Sequence, residues 1–179
     1  MDADPHQLLP DHLPTPFTAS EIRAGCPAGR TLRYLTERAG QEPSIRVTRY
    51  VAVDPEGTTQ ESWLESEDGV VVGKPEPERS TWLELQQHAS FPAAITERNE
   101  ETIEIPAGRF DCLRYTRTDE LGTWRFWFAR DLPGQPVRFA NDVAGQVVFS
   151  ATLLEDLPGD SASKRAQPPD VGPLHGSAQ

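Results

Sequence analysis

Thr123-Trp124-Arg125-Phe126-Trp127-Phe128-Ala129, followed at once by Arg130-Asp131-Leu132-Pro133-Gly134-Gln135-Pro136-Val137, is the stretch whose reading decides the fold. Side chains alternate between the two faces of a strand, so Trp124, Phe126 and Phe128 share one face and Trp127 takes the other. A short aromatic-rich run bounded by turn residues reads as a strand rather than a helix. Leu132-Pro133-Gly134-Gln135 suits a type II turn: proline sets φ near −65° at its second position and glycine accepts positive φ at its third. Both faces of this strand need cover. One is a core face, and the triplet face is either packed or walls a ligand cavity.

The same alternation extends in both directions. Ile103 and Ile105 lead into a turn at Ile105-Pro106-Ala107-Gly108, and a strand is predicted from Arg109 to Thr118. Asp119-Glu120-Leu121-Gly122 forms a hairpin loop back into the aromatic strand. Val137 and Phe139 then share a face, residues 141–145 loop, and Val147, Phe149, Ala151 and Leu153 line the last strand. Upstream, strands are predicted at about 30–38, 45–53, 58–66 and 70–73, with turns at Asp54-Pro55-Glu56-Gly57 and Ser66-Glu67-Asp68-Gly69. In the second of these, Ile45, Val47, Val51 and Val53 are assigned to the apolar face, with Arg46, Thr48 and Tyr50 opposite.

One helix interrupts the strands, at about 81–90. Thr81 and Glu84 have capping-box spacing, Trp82, Leu85 and Ala89 form an apolar stripe, and Pro92 ends it. A short helix at 18–25, capped by Thr18 or Ser20, is also predicted. The fold class that follows is mainly β (α+β): a curved antiparallel meander, an open half-barrel covering one central helix. Residues 1–16, with prolines at 5, 10, 14 and 16, read as a flexible N-terminal arm. Residues 17–157 read as a single β-rich domain, and residues 158–179, rich in Pro, Gly, Ser and Ala, as a disordered C-terminal tail.

Composition excludes several classes. At 179 residues and 36% hydrophobic content the chain can bury one real core. The formal net charge of −11 repels nucleic acid and anionic membranes. Between Asp54 and Glu84 stand nine acids against two bases, a solvated face or an acidic interaction surface. No apolar run approaches the ~20 residues of a membrane span, so no membrane insertion is expected. The acidic opening Met1-Asp2-Ala3-Asp4-Pro5-His6 is unlike a signal peptide, and Arg23 spoils the lipidation-like Ala24-Gly25-Cys26, so the expected compartment is the cytoplasm. Two cysteines, Cys26 and Cys112, are too few for a disulfide framework.

Little in the sequence points to chemistry. His6, His12, His88 and His175 are scattered, with no metal-ligand spacing, and no glycine-rich phosphate loop occurs. No cofactor and no metal are therefore expected, and no catalytic residue is assigned. His88 flanks the apolar stripe of the helix. With Cys112 it makes the sole nucleophile-and-base pairing to weigh, against the plainer reading of a boundary histidine. Arg49 is in phase with Val47 and Val51, and Arg114 with Phe110 and Cys112. A charge on an apolar face must snorkel, pair, or meet a ligand. The candidate ligand-binding set is thus Arg49, Arg114, Trp124, Phe126, Phe128 and His88.

Pro106-Ala107-Gly108-Arg109-Phe110-Asp111-Cys112 and the run from Phe126 to Val137, with His88-Ala89-Ser90-Phe91-Pro92, carry a resemblance. They resemble a group of uncharacterised bacterial proteins with a P-A-G-x-F-x-C strand and an F-W-F-A-x-D-L-P-G-x-P-V strand and turn. That group is distantly similar to half-barrel families of the lipoprotein-carrier type. The resemblance covers residues 81–155 by motif and the first meander by architecture. It implies the fold and no catalytic residues.

The functional expectation is a non-catalytic binding module. Its half-barrel concavity would hold a small apolar or anionic amphiphilic ligand, or a protein partner. The alternatives are a small-molecule enzyme using the same cavity and an acidic interaction domain acting through residues 54–84. The tail offers almost nothing to bury against an ordering cost of ~1–2 kcal/mol per residue. A chain ended after Leu157 is therefore expected to melt within about two degrees of the full chain, a small fraction of the total stability. Thermal denaturation followed by circular dichroism checks this, and a larger drop would show that the tail docks.

Overall fold

The structure, a computed structural model, describes residues 3–159. The first strand, β1, spans Thr31–Arg38. It is followed by β2 (Ser44–Val53), β3 (Gly57–Glu65), β4 (Val71–Thr81), β5 (Thr96–Ile105), β6 (Gly108–Asp119), β7 (Gly122–Ala129), β8 (Arg138–Val143) and β9 (Gln146–Leu157). All nine form one antiparallel sheet in the order β4-β3-β2-β1-β9-β8-β7-β6-β5. The sheet is two consecutive meanders, β1–β4 and β5–β9, joined where β9 pairs with β1.

This order places β4 and β5, neighbours in sequence, at opposite edges of the sheet. The chain between them holds helix α2 (Trp82–Gln87) and a 3₁₀ turn at Ala93–Ile95, so it must cross one face. Nine strands laid flat would span about 38 Å at their usual spacing. A segment of this length and helical content reaches only about 32 Å. The sheet therefore has to curve toward the crossing segment, and the covered face is the concave one.

A second helix, α1 (Ala19–Gly25), joins α2 on that face; the Ala19 amide donates to the Gln86 side chain at 2.8 Å. Both helices are too short to be stable alone. Each begins with a complete capping box, Thr18 with Glu21 and Thr81 with Glu84, which satisfies amides that would otherwise be orphaned. Backbone and side-chain hydrogen bonds from Thr81 hold the Glu84 carboxyl below its usual range.

The core lies between helices and sheet. Phe17, Ile22, Trp82 and Phe91 from the cover meet Leu32, Tyr34, Tyr50, Tyr115, Phe128 and Leu153 from the sheet. Two expectations change here. First, the apolar face assigned to β2 is inverted over most of its length. Tyr50 joins the core, while Val47, opposite Arg33 and Trp63, faces away from the helices. A bulge between Tyr50 and Ala52 then shifts the phase, so Val53 returns to the core. Second, β4 runs on through the acidic stretch to Thr81 rather than stopping at Gly73. Pro75 and Pro77 argue against a strand in general, but an edge strand has one row of amides with no ladder bond to make.

The N-terminal arm has hydrogen-bond partners in the fold. Over residues 3–16 it lies on the fold rather than away from it. The Tyr115 hydroxyl donates to the Pro14 carbonyl (2.7 Å), the Leu13 amide to Phe91 (2.9 Å), and the buried Gln86 side chain to Pro5 and Thr15 (2.9 Å each). Proline-rich segments show no periodicity, yet their carbonyls remain strong acceptors for side chains from elsewhere. Of the tail, Pro158 and Gly159 are described, with Gly159 against Gly29. Residues 160–179 lie outside the described residues.

At the junction of the two meanders sits Arg30, 4% exposed. Its guanidinium pairs with Asp156 through two bonds (Nε to Oδ1 3.0 Å, Nη2 to Oδ2 3.1 Å). Nη1 also donates to the carbonyls of Gly25 and Pro133, each at 2.8 Å. Burial opposes this charge, but the hydrogen-bonded Asp156 carboxylate and the neighbouring Cys26 and Tyr50 leave the group more firmly protonated than usual. Asp156→Ala is expected to cost about 3 kcal/mol by chemical denaturation, because it strands a buried cation. Arg30→Met should cost at least as much, since two carbonyls also lose their donor. Asp156→Asn should cost less than either. Equal stability of all three variants and the parent would remove this junction from the forces that hold the fold.

Candidate functional site

The two helices do not fill the concavity. Between them and the sheet lies an open cleft of about 290 Å³. Its aromatic floor comes from β7 and β8: Phe126, Phe128 and Phe139, with Phe91 stacked on Phe126 at 5.0 Å between centroids. Phe17, Ile22, Leu85 and Ala89 form the side beneath the helices. The opposite wall is polar and comes from consecutive strands: Arg46 and Tyr50 on β2, Gln60 on β3, and Glu78 and Ser80 on β4. Cross-strand register sets this wall, since Tyr50 lies opposite Gln60 and Gln60 opposite Glu78.

One end of the floor is the turn Pro133-Gly134-Gln135. Gly134 adopts φ +125°, in the positive region that side-chain-bearing residues avoid. A Cβ there would sit 3.1 Å from the Cys26 sulfur and 3.3 Å from Arg30 Nη1, so only glycine lets the turn close over the Arg30 junction. Tyr50 lies between junction and cleft; burial, and next the Cys26 thiol, push its hydroxyl well above the usual range.

The six candidate residues separate sharply. Phe126, Phe128 and His88 line the cleft. Trp124 is on the same strand face, stacked on Phe126 at 5.8 Å, but beyond the cleft and against Phe149. Arg49 and Arg114 are on the convex side. Arg49 pairs with Glu61 at 3.1 Å and lies 5.4 Å over the Trp63 ring. Arg114 pairs with Glu101 at 2.9 Å, and Trp127 donates to the same carboxylate at 2.8 Å. Each arginine resolves its awkward phase by pairing, and neither reaches the rim of the cleft. The arginine that lines it is Arg46, assigned from the alternation to the polar face of a strand whose true core face carries it.

The Cys112–His88 pairing does not form. Cys112 faces the convex side with Arg114 and Trp127, whereas His88 caps the C-terminal end of α2 over the cleft. Among the described residues no cluster of His, Cys, Asp and Glu is arranged to hold a metal, and no helix is long and apolar enough to cross a membrane. Gln60, Glu78 and Ser80 escaped the sequence reading for one reason: they sit in the proline-bearing acidic stretch or directly opposite it.

No family model matches the chain, and no curated protein matches it either. Solved structures do. A crystal structure of MucB superposes with a TM-score of 0.54 at 12% identity, over 82% of this chain and 59% of that one. MucB in complex with MucA(peri) gives 0.52 at 12% identity, over 78% and 53%. The fold is one that MucB shares. The chain spans little more than half the length of the MucB chains it matches, and at this identity the likeness speaks for architecture alone. The half-barrel arrangement implied by the strand motifs is thus found in a solved protein.

Both thiols are sealed off, with Cys26 0% and Cys112 1% exposed. Burial raises the Cys26 thiol against the pull of Arg30. Burial, then Glu101, Asp111 and Asp131, push Cys112 up to about 11. A raised pKa means fewer thiolates at a given pH, and the thiolate is the reactive form. The folded protein is therefore expected to release no thionitrobenzoate from Ellman's reagent near pH 8, with both thiols reacting in denaturant. Prompt reaction of either one in the native state would show an opening of the core.

Proposed function

We propose that this chain is a non-catalytic binding module whose cleft takes up an apolar group presented by a protein partner. The observation that carries the reading is the uncovered part of the concave face. Native interiors close-pack, yet here Phe126, Phe139 and Phe91 front an open cleft of about 290 Å³. That volume is at the lower end of the ~300–1,000 Å³ of small-molecule sites, and suits an inserted side chain or a small apolar ligand. MucB, which shares the fold, has been crystallised with MucA(peri), and a protein partner for this chain is proposed by analogy with that complex. The same floor also suits the apolar part of a small amphiphile.

The test uses a neutral, environment-sensitive dye, N-phenyl-1-naphthylamine. Saturable fluorescence enhancement at about one equivalent is expected. His88→Trp, which places a large ring at the exposed mouth, should weaken it at least about fivefold, equivalent to about 1 kcal/mol. Phe126→Ala should change affinity by removing part of the floor. No saturable binding by the parent protein, or no effect of either substitution with the fold intact by circular dichroism, would overturn the reading.

A further inference from the structure

The cleft is not only apolar; it is electrically polarised along its polar wall. Arg46 stands at one end, in register with Tyr34 and Leu64. The row Tyr50–Gln60–Glu78 stands four residues further along β2, about 13 Å away at strand spacing. A base and an acid thus face the same cleft from positions too far apart to pair through the backbone geometry alone.

Neither charge is used within the fold. Eight arginines hold a carboxylate: Arg30, Arg33, Arg49, Arg79, Arg114, Arg117, Arg125 and Arg130. Of the strand arginines that hold none, Arg46 is the one that lines the cleft. Among the described residues Arg46 has no ion-pair partner, and Glu78 has none either. Beside Glu78, the side-chain nitrogen of Gln60 is buried and makes no hydrogen bond. A buried amide donor without an acceptor is costly and is satisfied when one arrives. The cleft therefore offers a cationic fork at one end, an apolar floor in the middle, and an acceptor beside an unsatisfied donor at the other end.

Resting on the binding-module reading, we infer that the segment taken up is a peptide in the order acidic, large apolar, basic. Its carboxylate meets Arg46, its apolar side chain lies on Phe126 and Phe139, its basic group meets Glu78, and a backbone carbonyl accepts from Gln60. Charge complementarity at both ends fixes the segment's direction in the cleft, and the apolar floor supplies the contact area.

Competition against the bound naphthylamine dye tests this with three blocked tripeptides: acetyl-Asp-Phe-Lys-amide, acetyl-Asn-Phe-Lys-amide and acetyl-Asp-Phe-Gln-amide. The first should displace the dye at the lowest concentration. Each neutral replacement should raise the half-displacement concentration about threefold, the scale of a solvent-accessible charged contact, and this difference should shrink as salt is added. In Arg46→Gln the difference between the Asp and Asn peptides should vanish while that between the Lys and Gln peptides persists. Glu78→Gln should do the reverse. Differences that survive the matching substitution, or three peptides that compete equally or not at all while the dye still binds, would overturn the inference and leave the binding module standing. A dye that never binds would instead overturn the module itself.

Discussion

A single buried guanidinium organises this fold. Arg30 joins β9 through Asp156, the end of α1 through the Gly25 carbonyl, and the 132–135 turn through the Pro133 carbonyl. These are the three places where separately built parts meet: the two meanders, the helical cover, and the turn that floors the cleft. A planar fork with five fixed donors suits such a junction, because it can satisfy a carboxylate and two carbonyls at once. Burying the charge is costly in itself, and the geometry returns that cost only if every partner is in place. The junction therefore fixes the position of each part relative to the others more than any one apolar contact does.

The cleft follows from this arrangement together with the topology. Strand order sends the chain across the concave face between β4 and β5, and the crossing segment is too short to cover a nine-stranded sheet. Two helices of seven and six residues leave part of the floor open. Gly134 brings its turn close enough to the Arg30 junction to shut one end. The other wall is set by register, which lines up Tyr50, Gln60 and Glu78 across three strands. The site is thus produced by pairing and curvature rather than by a local motif, and the chain carries no compact signature for it.

Much of the architecture was legible. Alternation around Trp124, Phe126 and Phe128 correctly placed the aromatic face, and Trp127 lies opposite as expected. Cap residues located both helices to within a few residues. Phe126, Phe128 and His88, named from the sequence, line the cleft. The errors have specific causes. A bulge at Tyr50–Ala52 broke the alternation in β2 and hid Arg46, and two prolines on an edge strand hid Glu78. Arg49 and Arg114 looked like unpaired charges only because their carboxylate partners, Glu61 and Glu101, come from neighbouring strands. The N-terminal segment looked loose because its acceptors are bonded by Gln86 and Tyr115, distant in sequence.

By itself the sequence determined the antiparallel strand-and-turn pattern over most of the chain, the two helices, and that one aromatic face must be covered. These are local properties, set by side-chain alternation, φ preferences and caps within a few residues. Only the tertiary structure decided which arginine faces the cleft, how much of the aromatic floor stays open, and which charges remain without partners. Those outcomes depend on inter-strand register, on one bulge and on the curvature imposed by a short crossing segment. Each is fixed by contacts between residues far apart in the chain, where a shift of one position exchanges the two faces of a strand.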